Sequence, residues 1–398
     1  MYFKIISYFI SMTNDVTISN AVKYIGVDDN DSDLFEGQYI IPNGISYNSY
    51  VIIDDKIAVF DTADACKQTE WQANLDAALN GRTPDYLIIS HMEPDHSAVI
   101  KTMLDKYPSL TGICSDKAVA LVKRFFGDEL TSRLQVVAEG ETLSLGAHTL
   151  QFFMAPMVHW PEVMVTYEQS EKILFSADAF GKFGALSADE DWACEARRYY
   201  FNICGKYGAQ VQALLKKAAA LDIATICPLH GPILKENLDF HIGLYDTWSS
   251  YKPENQGIFI AYCSLHGNTA AAANKLAELL RSSSDVKVST TDLSRDDMAE
   301  AIEDAFRYDR LVLAAPTYDG GVMPVMDDFI SHLKAKNYQN RKVAFIENGS
   351  WAPVAGRKMR EAMQSLKDIT IVEPMVTVES TVKADTIKQL EALANALI

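Results

Sequence analysis

The sequence predicts an α/β protein of two domains, in which two β-sheets packed face to face with outer helices precede an open parallel sheet. The length of 398 residues exceeds what one ordinary hydrophobic core accommodates. Up to about residue 250, short β-rich runs are interleaved with single helices, which favours packed sheets. Beyond that point strands and helices alternate regularly, which is typical of a doubly wound parallel sheet.

The first domain is predicted from apolar runs bounded by turn residues. Ser46–Ile53 and Lys56–Thr62 flank Asp54-Asp55, which indicates a hairpin. Further strands are predicted at Tyr86–Ser90, Leu110–Ser115, Leu134–Ala138, Leu143–Leu145, Thr149–Met154, Val163–Tyr167, Ile173–Ser176 and Ala224–Pro228. Helices are predicted at Glu70–Leu79, Ser97–Lys106, Lys117–Phe126 and Val211–Leu221.

A polar stretch with Pro253, at Trp248–Gln256, marks the boundary between residues 18–252 and 253–398. In the second domain, strands are predicted at Ile258–Cys263, Val286–Thr290, Leu311–Ala315, Val343–Glu347 and Ile369–Val372, alternating with helices near 269–281, 297–307, 326–336, 357–366 and 385–396. Residues 1–17 are expected to form an extension, with Met12 as an alternative initiator. Its apolar run is too short to span a membrane.

Composition excludes several classes of function. The net charge of −17 argues against nucleic acid or an anionic membrane surface as the main partner. The six cysteines form no C-x-x-C pair, which excludes a zinc ribbon, a thioredoxin-type site and a rubredoxin-type iron centre. Scattered cysteines suit a reducing compartment, so we expect a cytoplasmic protein.

The stretch His91-Met92-Glu93-Pro94-Asp95-His96 brings two imidazoles and two carboxylates to the end of a predicted strand. His159, Asp178 and His230 each follow an apolar β run in the same way. One such histidine is more often structural, but the whole set in this order favours two metal ions. Carboxylates favour iron or manganese over zinc. The three carboxylates Glu93, Asp95 and Asp178 would nearly balance two divalent ions.

Three loops of the second domain follow strands on one edge of its predicted sheet, where such sheets bind ligands. They offer hydroxyls, glycines, a helix N-terminus that can hold phosphate, and aromatics that suit a planar ring. The predicted cofactor-binding residues are Ser264, Leu265, His266, Gly267, Asn268, Thr269, Pro316, Thr317, Tyr318, Asp319, Gly320, Gly321, Asn348, Gly349, Ser350 and Trp351. Neither a dinucleotide nor a Walker pattern is present.

The three loops resemble those of the flavodoxin family, which binds FMN. The order H-x-E-x-D-H, then His, Asp and His, resembles the metallo-β-lactamase superfamily, with Glu93 where zinc hydrolases carry histidine. Together with 155–161, 174–181 and 199–203, these stretches resemble the flavodiiron proteins over residues 18–398. The resemblance implies a metallo-β-lactamase-like αββα sandwich followed by a flavodoxin-like doubly wound five-stranded parallel sheet, as in two-domain members.

The resemblance also implies a ligand set and a reaction. His91, Glu93 and His159 would hold one iron, Asp95, His96 and His230 the other, and Asp178 would bridge them. Water replaces the counterpart of His96 in some relatives. The implied activity is reduction of O2 to water, of NO to N2O, or of both.

The implied electron path runs from a protein donor, of the rubredoxin or NADH-dependent flavin reductase type, through FMN to the irons. The implied assembly is a head-to-tail homodimer or a dimer of dimers. Two alternatives stay open: a zinc hydrolase with a flavodoxin-like appendage, and a non-enzymatic electron carrier with a degenerate first domain.

Overall fold

The computed structural model describes residues 18–398, so the predicted extension at residues 1–17, with Met12, lies outside the described residues. Contacts divide the chain into two compact units. The first unit comprises residues up to Phe35 together with Ile41–Asp191 and Asp222–Glu236. The second comprises Glu36–Ile40, Trp192–Leu221 and Asn237–Ile398.

The elements before residue 250 keep the predicted order of strands and helices, but the helices at Trp192–Tyr199 and Leu238–Ser249 were not predicted. The strands are β1 (Val22–Tyr24), β2 (Val27–Asp29), β3 (Leu34–Phe35), β4 (Tyr39–Ile40), β5 (Ile45–Tyr47), β6 (Tyr50–Ile53), β7 (Ile57–Phe60), β8 (Tyr86–Ile89), β9 (Thr111–Cys114), β10 (Leu134–Val136), β11 (Thr142–Ser144), β12 (Thr149–Met154), β13 (Met164–Glu168), β14 (Ile173–Phe175) and β15 (Thr225–Cys227). The helices are α1 (Gln68–Leu79), α2 (Pro94–Ser97), α3 (Ile100–Lys106), α4 (Asp116–Phe126), α5 (Trp192–Tyr199), α6 (Gly208–Ala218) and α7 (Leu238–Ser249).

Two sheets form the core of the first unit. Within residues 18–398, one sheet has the order β1-β6-β7-β8-β9-β10 and the other has the order β11-β12-β13-β14-β15. Their apolar faces share one buried cluster, in which the Phe60 ring of one sheet stacks on the Phe175 ring of the other at 3.9 Å. The predicted face-to-face sandwich is confirmed. The predicted hairpin is confirmed as well, since β6 and β7 pair antiparallel.

The predicted single strand Ser46–Ile53 is wrong. The chain breaks at Asn48 and Ser49 into β5, which pairs with β2, and β6, which pairs with β7. The side chain of Asn48 is fully buried and donates two hydrogen bonds to a distant loop. These side-chain hydrogen bonds interrupt the regular backbone pairing of the strand. An alternating sequence pattern cannot predict such an interruption.

Parallel pairing brings the carboxyl ends of several strands to one edge of each sheet. β7, β8 and β9 run parallel in the first sheet, and β14 and β15 run parallel in the second. His91 follows the end of β8, Asp178 follows β14 and His230 follows β15. Loops at such edges are where α/β folds place binding groups.

The second unit contains the predicted doubly wound parallel sheet. Its later strands are β16 (Asn255–Tyr262), β17 (Lys287–Asp292), β18 (Tyr308–Tyr318), β19 (Gly321–Val322), β20 (Arg341–Asn348), β21 (Ile369–Ile371) and β22 (Val376–Val378). Its later helices are α8 (Asn268–Ser283), α9 (Met298–Arg307), α10 (Pro324–Ala335), α11 (Ala355–Gln364) and α12 (Ala384–Leu397). The strand order is β17-β16-β18-β20-β21, so the order reverses direction beside β16.

The edge beyond β20 is split between two short strands that sequence patterns did not separate. β21 pairs with the beginning of β20, and β22 pairs with its end. Pro374 lies between them and has no N–H to donate to a ladder. β22 was not predicted from the sequence, although the equally short β21 was.

Helices α5, α6 and α7 cluster with the second unit, although the predicted boundary assigns them to residues 18–252. Arg197 of α5 donates to the carboxylate of Glu254, with Nε to Oε2 at 2.7 Å. The Phe201 ring stacks on Phe306 of α9 at 4.3 Å. The boundary at residue 252 stays a prediction. Among residues 18–398, no helix is both long and apolar enough to cross a membrane.

Candidate active site

The seven predicted metal ligands lie in two groups of buried side chains in the first unit. The Glu93 group consists of His91, Glu93, His159 and Asp178, and the Asp95 group consists of Asp95, His96 and His230. In each group, one donor atom from every member lies within 4.8 Å of the others. Each group therefore offers the number and type of donors that one metal ion takes.

Asp178 connects the two groups through its two carboxylate oxygens. Oδ2 lies 3.2 Å from Nε2 of His91 and 3.2 Å from Nε2 of His159. Oδ1 lies 3.3 Å from Nε2 of His96, which belongs to the Asp95 group. A carboxylate whose oxygens face different groups has the geometry of a bridging ligand.

Unsatisfied polar atoms show that these donors are arranged for a cation. The four carboxylate oxygens of Asp95 and Asp178 are buried and accept no hydrogen bond of ordinary geometry from the described residues. Nε2 of His91 lies 3.2 Å from Nε2 of His159, and Nε2 of His96 lies 3.1 Å from Nε2 of His230. Buried polar atoms rarely stay unpaired, and each pair of nitrogens directs electron density at one point. The donors therefore fit two bound metal ions.

The carboxylates give the pocket a negative potential that stabilises positive charge. Burial lowers the pKa of His159, but the nearby carboxylates of Asp178 and Glu93 outweigh burial and raise this pKa to about 9. Burial likewise lowers the pKa of His91, and the charge of Asp178 raises it well above its usual range. Burial raises the pKa of Asp178, whereas the histidines lower it well below its usual range. The site thus favours charged carboxylates around a cation.

A cavity of about 820 Å³ and another of about 660 Å³ occur in the second unit, and the smaller one lies at the predicted cofactor loops. Its lining comprises Ser264, Leu265, His266, Asn268, Thr269, Pro316, Thr317, Asp319, Gly320, Asn348, Gly349, Ser350, Trp351, Ala352 and Ser380. It lies at the carboxyl ends of β16, β18 and β20, beside the point where the strand order reverses. Such a crevice is the usual ligand site of an open parallel sheet.

The cavity matches a phosphorylated planar ligand in its polar and aromatic groups. Oγ of Ser264 is buried without a hydrogen-bond partner among the described residues, and α8 begins four residues later. The Trp351 side chain is 84% exposed, so its ring is available for stacking. Thr317 holds the loop, because its Oγ1 accepts hydrogen bonds from the backbone N–H groups of Val354 and Ala355 at 2.9 and 3.2 Å.

The predicted cofactor-binding set and the cavity lining differ at a few positions. Gly267, Tyr318 and Gly321 were predicted but do not line the cavity. Ala352 and Ser380 line it but were not predicted. Ser380 follows the unpredicted strand β22, and its hydroxyl donates to Oγ of Ser350 at 2.9 Å.

Comparisons with known proteins agree with this two-part arrangement. Residues 45–231 match the ODP family beta lactamase, and residues 259–374 match a flavodoxin domain. An uncharacterized protein of Methanocaldococcus jannaschii is 30% identical, over 94% of this chain and 95% of that protein. The nitric oxide reductase of Moorella thermoacetica is 27% identical, over 97% of this chain and 98% of that enzyme.

Solved structures give the same match over the whole chain. The rubredoxin oxygen:oxidoreductase of Desulfovibrio gigas superposes with a TM-score of 0.89 at 25% identity, covering 96% of this chain and 97% of that one. The flavodiiron protein of Giardia intestinalis has the same fold, with a TM-score of 0.88 at 22% identity, covering 97% and 96%. The chain belongs to the flavodiiron protein family. Its cofactors are accordingly FMN and a di-iron centre.

In this flavodiiron protein, a buried aspartate fixes the loop that carries the first ligands. Asp61 follows β7, and its Oδ1 accepts the backbone N–H groups of Ser90 and His91 at 2.8 and 3.2 Å. Burial raises the pKa of Asp61 to about 6. Helix α2 then begins at Pro94, which needs no N–H partner there, and carries Asp95 and His96.

A second set of buried hydrogen bonds fixes the loop that carries His230. Nδ2 of Asn48 donates to the carbonyl oxygens of Pro228 and Gly231 at 2.8 and 2.7 Å. Nδ1 of His230 donates to the carbonyl oxygen of Ser46 at 2.7 Å. That hydrogen bond places the lone pair of the imidazole on Nε2, the atom that faces the Asp95 group.

Sequence reasoning missed one carboxylate beside the ligands. Oε1 of Glu162 lies 2.9 Å from Nδ1 of His91 and 2.8 Å from the backbone nitrogen of Met92. Glu162 is three residues after His159 and 71 residues after His91, so only the fold brings it to that histidine. The Trp160 ring packs edge-on to His91, with ring centroids 5.3 Å apart.

Proposed function

We propose that this flavodiiron protein reduces O2, NO or both, with electrons that pass from a protein donor through FMN to the di-iron centre. Reduction of O2 to two water molecules takes four electrons and four protons. Reduction of two NO molecules to N2O and water takes two electrons and two protons. The relatives named nitric oxide reductase and rubredoxin-oxygen oxidoreductase support this reaction class.

The observation that carries the proposal is the position of Asp178 between the two ligand groups. Its oxygens face histidines of both groups at 3.2–3.3 Å. We propose that His91, Glu93 and His159 hold one iron, that Asp95, His96 and His230 hold the other, and that Asp178 bridges them. A bridge keeps two metal ions close enough for both to act on one small substrate.

The donor set favours redox iron over a hydrolytic zinc pair. Three carboxylates among seven ligands give a hard, strongly anionic site, which suits iron. Glu93 stands where the zinc hydrolases of the superfamily carry histidine, and its carboxylate lies 3.0 Å from Nε2 of His159. The zinc hydrolase alternative also leaves the flavin cavity without a role.

The side chains around the cofactors hold and orient them. When bound, the flavin supplies electrons one or two at a time and the iron pair supplies adjacent positions for the gas. We propose that Ser264 and the N-terminal end of α8 bind the FMN phosphate, and that Trp351 covers the ring. The buried carboxylates keep the iron pocket charged, and the Trp160 ring occupies space beside His91.

The reaction is tested on protein reconstituted with ferrous iron and FMN in the absence of air. The reduced protein is mixed with O2 and, separately, with NO in a stopped-flow instrument, and flavin oxidation is followed. We expect at least one gas to oxidise the bound flavin faster than the same concentration of free reduced FMN. If neither gas does so while two irons and one FMN are bound, the proposal is wrong.

We further propose that the donor is a rubredoxin or a flavin reductase and that the protein works as a head-to-tail homodimer. In that assembly the FMN of one subunit serves the irons of the other. A chain with Asp178→Ala lacks the bridging ligand, and a chain with Ser264→Trp has its flavin cavity filled. Mixed dimers of the two should recover part of the activity that each homodimer lacks. No recovery in purified mixed dimers would place electron transfer within one chain.

A further inference from the structure

Glu162 is a buried carboxylate that belongs to neither ligand group yet contacts one of the ligands. It is 2% exposed and follows His159 on the loop before β13. One oxygen, Oε1, lies 2.9 Å from Nδ1 of His91 and accepts the backbone N–H of Met92 at 2.8 Å. A single oxygen thus contacts both the imidazole ring and the backbone that follows it.

The hydrogen bond decides which nitrogen of His91 can bind metal. Oε1 acts as the acceptor of the Met92 N–H, and with the same oxygen as acceptor the proton of the second contact belongs to Nδ1 of His91, which donates it. The lone pair is then on Nε2, which lies 3.2 Å from Oε2 of Glu93 and 3.2 Å from Oδ2 of Asp178. The nitrogen left free for a metal is therefore the one that faces the other donors of the Glu93 group.

The two histidines of the Asp95 group have different surroundings at Nδ1. Nδ1 of His230 donates to the uncharged carbonyl oxygen of Ser46 at 2.7 Å. Nδ1 of His96 is buried and has no hydrogen-bond partner among residues 18–398. A carboxylate partner makes an imidazole a stronger electron donor than a carbonyl partner does, and it restrains the ring more firmly.

Glu162 is itself held in place by its backbone. Oγ of Ser115 donates to the carbonyl oxygen of Glu162 at 2.7 Å. Ser115 also caps α4, because its Oγ accepts the N–H of Ala118. The anchor through Ser115 leaves the carboxylate free to contact His91, so anchoring and carboxylate chemistry can be separated by mutation.

We infer that Glu162 is a positioning residue that fixes the ring and proton of His91, and so makes the Glu93 group the more tightly binding and more electron-rich of the two iron positions. This inference rests on the proposed di-iron function, since it assigns unequal properties to the two irons. Loss of a carboxylate of this kind lowers metal affinity on the order of 10–100-fold.

The test compares three variants with the unmodified protein. Glu162→Ala removes the carboxylate. Glu162→Gln keeps an oxygen that can accept both hydrogen bonds but removes the charge. Ser115→Ala removes the anchor on the backbone oxygen and the cap of α4, and it leaves the carboxylate in place. Iron affinity is measured by competition with a chelator, FMN content by absorbance, and the two iron environments by Mössbauer spectroscopy.

We expect Glu162→Ala to lose about 10–100-fold in affinity at one iron position, with one FMN per chain retained. Glu162→Gln should keep both irons but shift one Mössbauer doublet and raise the reduction potential of that iron. Ser115→Ala should match the unmodified protein in iron affinity, FMN content and Mössbauer spectrum.

The inference is wrong if Glu162→Gln leaves both Mössbauer doublets and the reduction potential unchanged. This result decides the question even if Glu162→Ala does not fold. It is also wrong if Ser115→Ala loses as much iron as Glu162→Ala, because the role would then be structural. A failure of the proposed function has a different signature: the unmodified protein itself would bind no iron pair.

Discussion

Asp178→Ala removes the one carboxylate whose two oxygens face both ligand groups. Both oxygens are buried and accept no hydrogen bond of ordinary geometry from the described residues, so truncation leaves few broken hydrogen bonds. The ligand carboxylates fall from three to two, against four positive charges on two divalent ions. The substitution should therefore act on metal binding far more than on the fold.

The size of the effect follows from the proposed role of Asp178 as a ligand to both metal ions. Removal of a residue that only supports a ligand costs on the order of 10–100-fold in metal affinity. Removal of a direct ligand should lower the metal affinity by at least about 100-fold. A 100-fold decrease in affinity corresponds to about 2.8 kcal/mol of binding free energy. Because Asp178 serves both positions, we expect the metal binding free energy to weaken by about 5–6 kcal/mol in total.

Iron is counted by mass spectrometry after loading and desalting, and FMN is counted by absorbance. We expect Asp178→Ala to retain less than one iron per chain and the normal FMN content. The matched control is Asp222→Ala, which truncates a carboxylate of the same unit that is 77% exposed and should leave iron unchanged. Two tightly held irons in Asp178→Ala, or loss of FMN with iron retained, would refute the assignment.

Three further predictions concern pH, the flavin and the loop that carries His230. The pKa of His159, about 9 when folded and about 6.5 when unfolded, means that its proton stabilises the metal-free fold fully below pH 6.5. That contribution is lost as pH rises through 9, so the melting temperature of the metal-free protein should fall over this range while iron affinity rises. Trp351→Ala should weaken FMN binding by about 1 kcal/mol, measured by fluorescence titration, whereas Phe240→Ala, another exposed aromatic, should not. Asn48→Ala breaks three hydrogen bonds, two of them buried, worth about 1 kcal/mol each. It should lower the protection of the Gly231 amide against hydrogen exchange, and an unchanged exchange rate would contradict this role.

The clustering of the seven predicted metal ligands could be anticipated from the sequence, because each follows a strand that an apolar run reveals. His91 to His96 also carry their spacing within six residues, so no long-range contact is needed to find them. The doubly wound sheet was predictable for a similar reason, since regular alternation of strands and helices extends over its whole length. Both are local signals repeated along the chain.

The residues that support the ligands could not be predicted, because only the fold brings them to the site. Glu162 meets His91 across 71 positions, and Asn48 meets the Pro228 carbonyl across 180. Ser380 lines the cavity at the predicted cofactor loops and follows the short strand β22, which was not predicted from the sequence. A buried Asn or Glu in a strand or loop carries no signal that names its distant partner.

The ligands come from both sheets of the first unit, and this ties iron uptake to the completion of that unit. His91 follows a strand of one sheet, whereas Asp178 and His230 follow strands of the other. A pair of irons is thus a cross-link between two layers that hydrophobic packing and a few buried hydrogen bonds otherwise hold together. Binding only to the assembled pair of layers, iron should slow their separation and raise the melting temperature of this unit alone. In a cell, iron scarcity would then shorten the lifetime of the protein and also lower its activity.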